Sequence, residues 1–309
     1  MAFDKRALVL PAGTRFEERT VVGKGDFILG NHVRSEFGLS TDGRIFGGQG
    51  AEVQGDVTAE GEVRFDQSTH IEGNVTSRSN VYLGERCFIK GDLSLEGDLD
   101  VGDDVRIGGQ LKAKGWVNKR NPIPLVVYIL LYLLELLRLG KSEEVDNILK
   151  ELEEADDVEI AVDEVFLFIP DGSTLGLQKS EIKGGLHAGE DCRILGNFHV
   201  KGDGYVGDRC TLYGALRVDG DLELRPDSEV QGSIKATGKV TVGEGCNVLG
   251  DLEADTVEMY QSATVDGKIV AEHGVKFRTE AQERVKKAAQ EKADEVQQGK
   301  AADLVDLLG

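Results

Sequence analysis

The chain is poor in the residues that fill a thick core or turn it sharply. Aromatics make up 6% of its 309 residues, with a single tryptophan, and there are only 5 prolines. It lacks a basic excess: 36 lysines and arginines face 56 aspartates and glutamates, a net charge of −20. That balance excludes a general nucleic-acid binder and disfavours broad attraction to an anionic membrane, since both need a positive field. No P-loop, HExxH sequence or nucleophile elbow is present. The opening residues Met1 to Arg6 lead into only Ala7 to Leu10 before Pro11, shorter than a secretory apolar region. A cytoplasmic protein is therefore expected. What the chain has instead is 40 glycines and 40% hydrophobic residues, a composition that suits a thin, repetitive fold.

The repeat is six residues long. Stepping from Val57 gives Val63, Thr69, Val75, Val81, Cys87, Leu93, Leu99, Val105 and Leu111. A second column two residues on runs Ala59, Phe65, Ile71, Ser77, Leu83, Ile89, Leu95, Val101, Ile107 and Ala113. Two apolar residues spaced by two are what a short strand turns to one face. Glycines recur every eighteen residues at 55, 73, 91 and 109, so three hexads make one triangular coil. Glycine is expected there because a tight corner favours positive φ.

The second half repeats the pattern, with Gly196, Gly214, Gly232 and Gly250, and then Gly267 after one missing residue. The halves align at an offset of 159: Pro11 with Pro170, Gly13 with Gly172, Gly55 with Gly214, Cys87 with Cys246. The predicted fold is mainly β, two tandem triangular parallel β-helices of about 18 residues per coil, each followed by an α-helical hairpin. The expected boundaries are 1–117 and 158–276 for the β-helices, 118–157 for the first hairpin and 277–309 for a C-terminal helical segment.

The first hairpin opens at Asn121-Pro122-Ile123-Pro124 and runs through an apolar helix ending near Gly140. That helix, Leu125 to Leu139, is apolar all round over Leu125 to Leu134, where it must be covered, and then takes in Glu135 and Arg138. At about 22 Å it is short of the roughly 30 Å hydrocarbon core. Leu125, Val126, Ile129, Leu130, Leu133 and Leu137 are accordingly candidates for an interface or a membrane contact. The C-terminal counterpart is highly charged instead.

Cys87, Cys192, Cys210 and Cys246 each lie four residues before a coil-marking glycine. They share an inward column with Ala51, Thr69, Val105, Ser228 and Ala263, so they read as small buried hydrophobes. A zinc site would want CxxC clustering, which is absent. His32, His70, His187, His199 and His273 fall on separate columns or distant coils and read as surface or corner residues. Asp56, Asp92 and Asp251, just after the coil glycines, read as outward corner carboxylates. No catalytic residue, cofactor or metal site is assigned.

Val53-Gln54-Gly55-Asp56-Val57, Ile71-Glu72-Gly73-Asn74-Val75, Ile89-Lys90-Gly91-Asp92-Leu93 and Val248-Leu249-Gly250-Asp251-Leu252 resemble the coil signature of the bactofilins, polymer-forming cytoskeletal β-helix proteins. The resemblance implies right-handed coils and nucleotide-free, end-to-end self-association. It spans both β-helical regions, about two-thirds of the chain. Two β-helices and ordered-looking helices depart from the family's single β-helix with disordered tails. The functional expectation is a non-enzymatic scaffold whose partner is itself, through β-helix ends or faces, with no nucleic acid. Two alternatives stand beside it: a histidine-dependent β-helical acyltransferase or γ-carbonic-anhydrase-like enzyme, and a capped adaptor held at a membrane, or by a membrane protein, through the apolar helix.

Overall fold

The computed structural model describes residues 6–119 and 164–278. The expected helical hairpins, and with them Leu125, Val126, Ile129, Leu130, Leu133 and Leu137, lie outside these residues. The described chain is all short parallel strands. One turn of the coil is Val63–Phe65, His70–Ile71 and Val75–Ser77, each on its own sheet. Eighteen residues later the same three strands recur, with Val63 beside Val81, Ile71 beside Ile89 and Val75 beside Leu93. The period of six is thus one face of a triangular β-helix. Both predicted columns are buried, from Val57 at 0% exposed to Leu99 at 1%. Where the expected boundaries fall within described residues, strands run slightly past them, to Val117–Lys119 and to Val275–Arg278.

The chain forms two compact units, and neither is a contiguous half. One comprises Phe16–Gly176, the other Met1–Arg15 with Leu177–Gly309. In the first, Phe166–Ile169 lies beside Asp26–Leu29 and Thr174–Leu175 beside Arg34–Ser35. In the second, Leu8–Leu10 lies beside Leu186–Ala188, and Arg15 beside Arg193. Each half's opening segment therefore starts the coil stack of the unit that holds the rest of the other half.

Most of the coil glycines are there for a different reason from the one the sequence suggests, although Gly196 (φ 105°) and Gly214 (φ 153°) do take the expected positive φ. Gly55, Gly73, Gly91, Gly232 and Gly250 have ordinary φ. They stack on one another instead: a Cβ on Gly73 would sit 2.4 Å from the Gly55 carbonyl oxygen, and one on Gly91 2.5 Å from that of Gly73. The corner is sterically closed to any side chain. In the first half positive φ recurs on another corner, also every eighteen residues, at His32, Gly50, Ser68, Arg86 and Asp104 (φ 53–64°). Four of those five are not glycine, so each holds a conformation that costs a side-chain-bearing residue roughly 1 kcal/mol. Ser68→Gly is expected to raise the melting temperature by about 1–3 °C in calorimetry, equivalent to roughly 0.5–1 kcal/mol.

The cysteine column does more than fill space. Each cysteine follows a left-handed corner, and three of the four donate to a carbonyl one coil and three residues earlier, while Cys192 Sγ donates to Pro11 O at 3.3 Å. Cys87 Sγ donates to Asp66 O at 3.1 Å, Cys210 to Gly189 O at 3.0 Å and Cys246 to Arg225 O at 2.9 Å. Ser228 Oγ makes the same contact to Gly207 O at 2.7 Å. These carbonyls sit at corners where the sheet ladder is interrupted, and a buried one left alone is costly. Burial pushes the Cys87 and Cys246 thiols up from their ordinary range. All four cysteines are free and buried. In the folded protein, thiol titration with a soluble disulfide reagent at neutral pH should find no reactive group until denaturant is added.

Candidate self-association surface

The outward corner carboxylates join coil to coil. Asp56 Oδ1 accepts from the Asn74 backbone N–H at 2.7 Å, Asn74 Oδ1 from Asp92 N at 2.8 Å, and Asp92 Oδ1 from Gln110 N at 2.7 Å. A second ladder runs from Asn80 to Asp98 to Trp116. In the other unit Asp203 accepts from Asp221, Asp221 from Lys239, and Asp251 from Lys268. Each side chain caps a corner amide that no strand can reach, much as an N-cap residue does for a helix. The aspartates of these Gly-Asp pairs are thus explained as corner caps. Asp56→Ala is expected to lower stability by about 1 kcal/mol in urea unfolding, while Asp56→Asn, which keeps the accepting oxygen, stays close to wild type.

Among the described residues the ladders stop at Gln110, Trp116 and Lys268, and the core opens at the same coils. Leu111 pairs with Leu93 and Val117 with Leu99. Leu93 and Leu99 are buried, while Leu111 is 42% and Val117 54% exposed, with Trp116 at 79%. In the other unit Val275 pairs with Val257 and Phe277 with Met259. Again the earlier coil is buried while Val275 is 37% and Phe277 58% exposed, with Val270 at 53% beside them. These side chains occupy inward positions of the repeat, apart from Trp116 and Val270. Their strands are edges of their sheets: Arg106–Ile107, Leu111–Ala113 and Val117–Lys119 in one unit, Thr264–Val265, Ile269–Ala271 and Val275–Arg278 in the other. An edge strand offers unpaired N–H and C=O groups along the coil axis. The inward positions of the opening strands contrast sharply: Leu8, Leu10, Leu167, Ile169 and Leu175 are all within 1% of fully buried.

The surroundings of both last coils are charged. Lys114 pairs with Glu96 at 2.9 Å and Lys119 with Asp103 at 3.7 Å. Arg278 closes on Glu258, and Lys239 reaches the same carboxylate at 2.9 Å. Those two donors hold the Glu258 carboxyl below its usual range.

The histidines take ordinary partners. His187 stacks on Tyr205 at 4.6 Å, His70 binds Glu72 at 2.7 Å and His199 binds Asp219 at 2.9 Å. His273 binds Asp255 at 2.6 Å, and Glu272 brings a third ligand-type atom within 4.8 Å of both. The sequence reading missed that triplet because it depends on the missing residue: Asp255 and Thr256 face the three residues Glu272 to Gly274. Among the described residues no helix is long and apolar enough to cross a membrane.

Residues 204–299 match the family described as bactofilin, polymer-forming cytoskeletal. Over that stretch, less than a third of the chain, the sequence is bactofilin-like. Comparison with curated proteins and with solved structures returned no match. The bactofilin match begins in the coil after His187 and takes in the last coil of its unit, so it covers one of the two exposed coils. That family is described as polymer-forming and cytoskeletal, and the parallel β-helix of this chain is consistent with the likeness.

Proposed function

We propose that this bactofilin-like chain is a non-enzymatic cytoskeletal scaffold that polymerises through the last coil of each unit, residues 106–119 and 264–278. The carrying observation is that inward, core-type side chains become exposed in these coils and are buried at the start of each stack. A chain with two such surfaces is bivalent, which is the minimum for a linear polymer.

The chain direction adds a constraint. Both open coils are the last described coils of the runs 16–119 and 177–278, and the strands within those runs pair parallel. Two copies that meet through final coils have their chains circulating in opposite senses at the junction. Their edge strands pair antiparallel, the slightly more stable ladder per residue. The resulting filament has no polarity. Chemical cross-linking with mass spectrometry tests this: cross-links between copies should join 106–119 or 264–278 to each other and leave the opening coils out. Cross-links between copies that map mainly to sheet faces sink the reading.

The net charge of −20 works against assembly at low ionic strength, and salt should promote it.

A further inference from the structure

The exchange of opening segments is symmetric in sequence. Shifting by the 159-residue offset turns Leu8 beside Leu186 into Leu167 beside Phe27, and Arg15 beside Arg193 into Thr174 beside Arg34, both of which are observed. The hydrogen bonds correspond as well. Gly13 N donates to Glu190 O at 2.8 Å, and Gly172 N to Asn31 O at 2.8 Å. Gly189 N donates to Leu10 O and Gly30 N to Ile169 O, each at 2.8 Å. The closest contacts match too: a Cβ on Gly184 would lie 1.9 Å from Arg6 O, and one on Gly25 1.9 Å from Val165 O. One slot and one opening segment have been made twice.

The links are the second observation. Between Phe16 and Thr20 stand only Glu17, Glu18 and Arg19, and between Leu175 and Lys179 only Gly176, Leu177 and Gln178. An ordinary coil corner has the same length: Gln54, Gly55 and Asp56 join Val53 to Val57. Three residues leading out of each opening segment could equally turn a corner within one half. Neither link carries the Gly-Asx pair that marks an ordinary corner. An opening segment that finds identical contacts in two places, over a link that reaches both, is a swappable element.

We propose that the opening coil is exchangeable between molecules: the slot at Gly184–Arg193, or its equivalent at Gly25–Arg34, accepts residues 6–15 or 165–175 of a second copy of this chain. This route to self-association uses the first coil of each unit and is independent of the last-coil reading above.

Val9 and His187 are paired neighbours on the outer face of one sheet. The test is co-expression of two differently tagged full-length chains, one Val9→Cys and the other His187→Cys, followed by mild oxidation and non-reducing gel analysis. The expected result is a disulfide-linked heterodimer that grows with expression level. It should be absent when the first chain carries Thr58→Cys instead, a position on the other unit. A single chain with both Val9→Cys and His187→Cys should close its bond internally. Heterodimer missing at every expression level, while the double variant closes internally, overturns exchange between molecules. A double variant that fails to close overturns the pairing itself.

Discussion

Gly25→Ala, and equally Gly184→Ala, is expected to detach an opening segment and cost more stability than any substitution on the outer faces. Gly25 has φ +74°, and an added Cβ would lie 1.9 Å from the Val165 carbonyl oxygen. At Gly184 the obstacle is the Arg6 carbonyl at the same distance. Both obstacles are backbone atoms, which no rotamer change relieves. The Gly25 variant must either hold a strained alanine or release residues 165–176. Release would expose Leu167, Ile169 and Leu175, all 0% exposed in the native fold. At roughly 1.5–3 kcal/mol for each such side chain, the loss is on the order of 5 kcal/mol. For a fold of this size that is a fall in melting temperature of about 10–20 °C. Hydrogen exchange should show where it happens. Protection should vanish first at Gly30 and Gly172, whose amides donate to Ile169 and Asn31. An alanine variant that melts with wild type would mean that the opening segment is not seated as described.

Val117→Asp together with Phe277→Asp is expected to leave the fold intact and abolish polymers. Both side chains are already more than half exposed, so the cost to an isolated chain should stay within about 0.5 kcal/mol. In a junction between copies they would be covered, and an unpaired carboxylate there is costly. Either substitution alone should stop growth at pairs, because only one surface per chain remains. Both together should remove the polymers, leaving single chains and any pairs formed by exchange of opening segments. Multi-angle light scattering separates the three states. Polymers of the double variant at wild-type concentrations would place the contact elsewhere.

The repeat, the buried columns and the position of the four cysteines were legible because a period of six leaves a mark at every coil. Ser77 and Thr69 could be read as inward despite being polar, and both are buried at 1%. The reason for the coil glycines was not legible. Positive φ and steric closure select the same residue, and only the stacking, in which a Cβ on Gly73 would lie 2.4 Å from the Gly55 carbonyl oxygen, distinguishes them. The hydrogen bonds from Cys87, Cys210 and Ser228 were missed because a column of small residues looks apolar when only size is read. The Asx ladders were missed for the opposite reason: Asp56 and Asp92 looked like solvated surface. The exchange of opening segments was beyond the sequence. The offset of 159 shows that Leu8-Val9-Leu10 and Leu167-Phe168-Ile169 are equivalent, and equivalence leaves open which slot each one fills. The exposed last coils could be anticipated only as ends. Their location depends on where the ladders stop, at Gln110, Trp116 and Lys268.

The central claim is that the last coils are open and join copies end to end. Negative-stain electron microscopy of the purified full-length protein, across a range of concentration and salt, tests it most directly. The account predicts unbranched filaments of constant width that lengthen with concentration and with added salt. Discrete small particles of one size under every condition would contradict it.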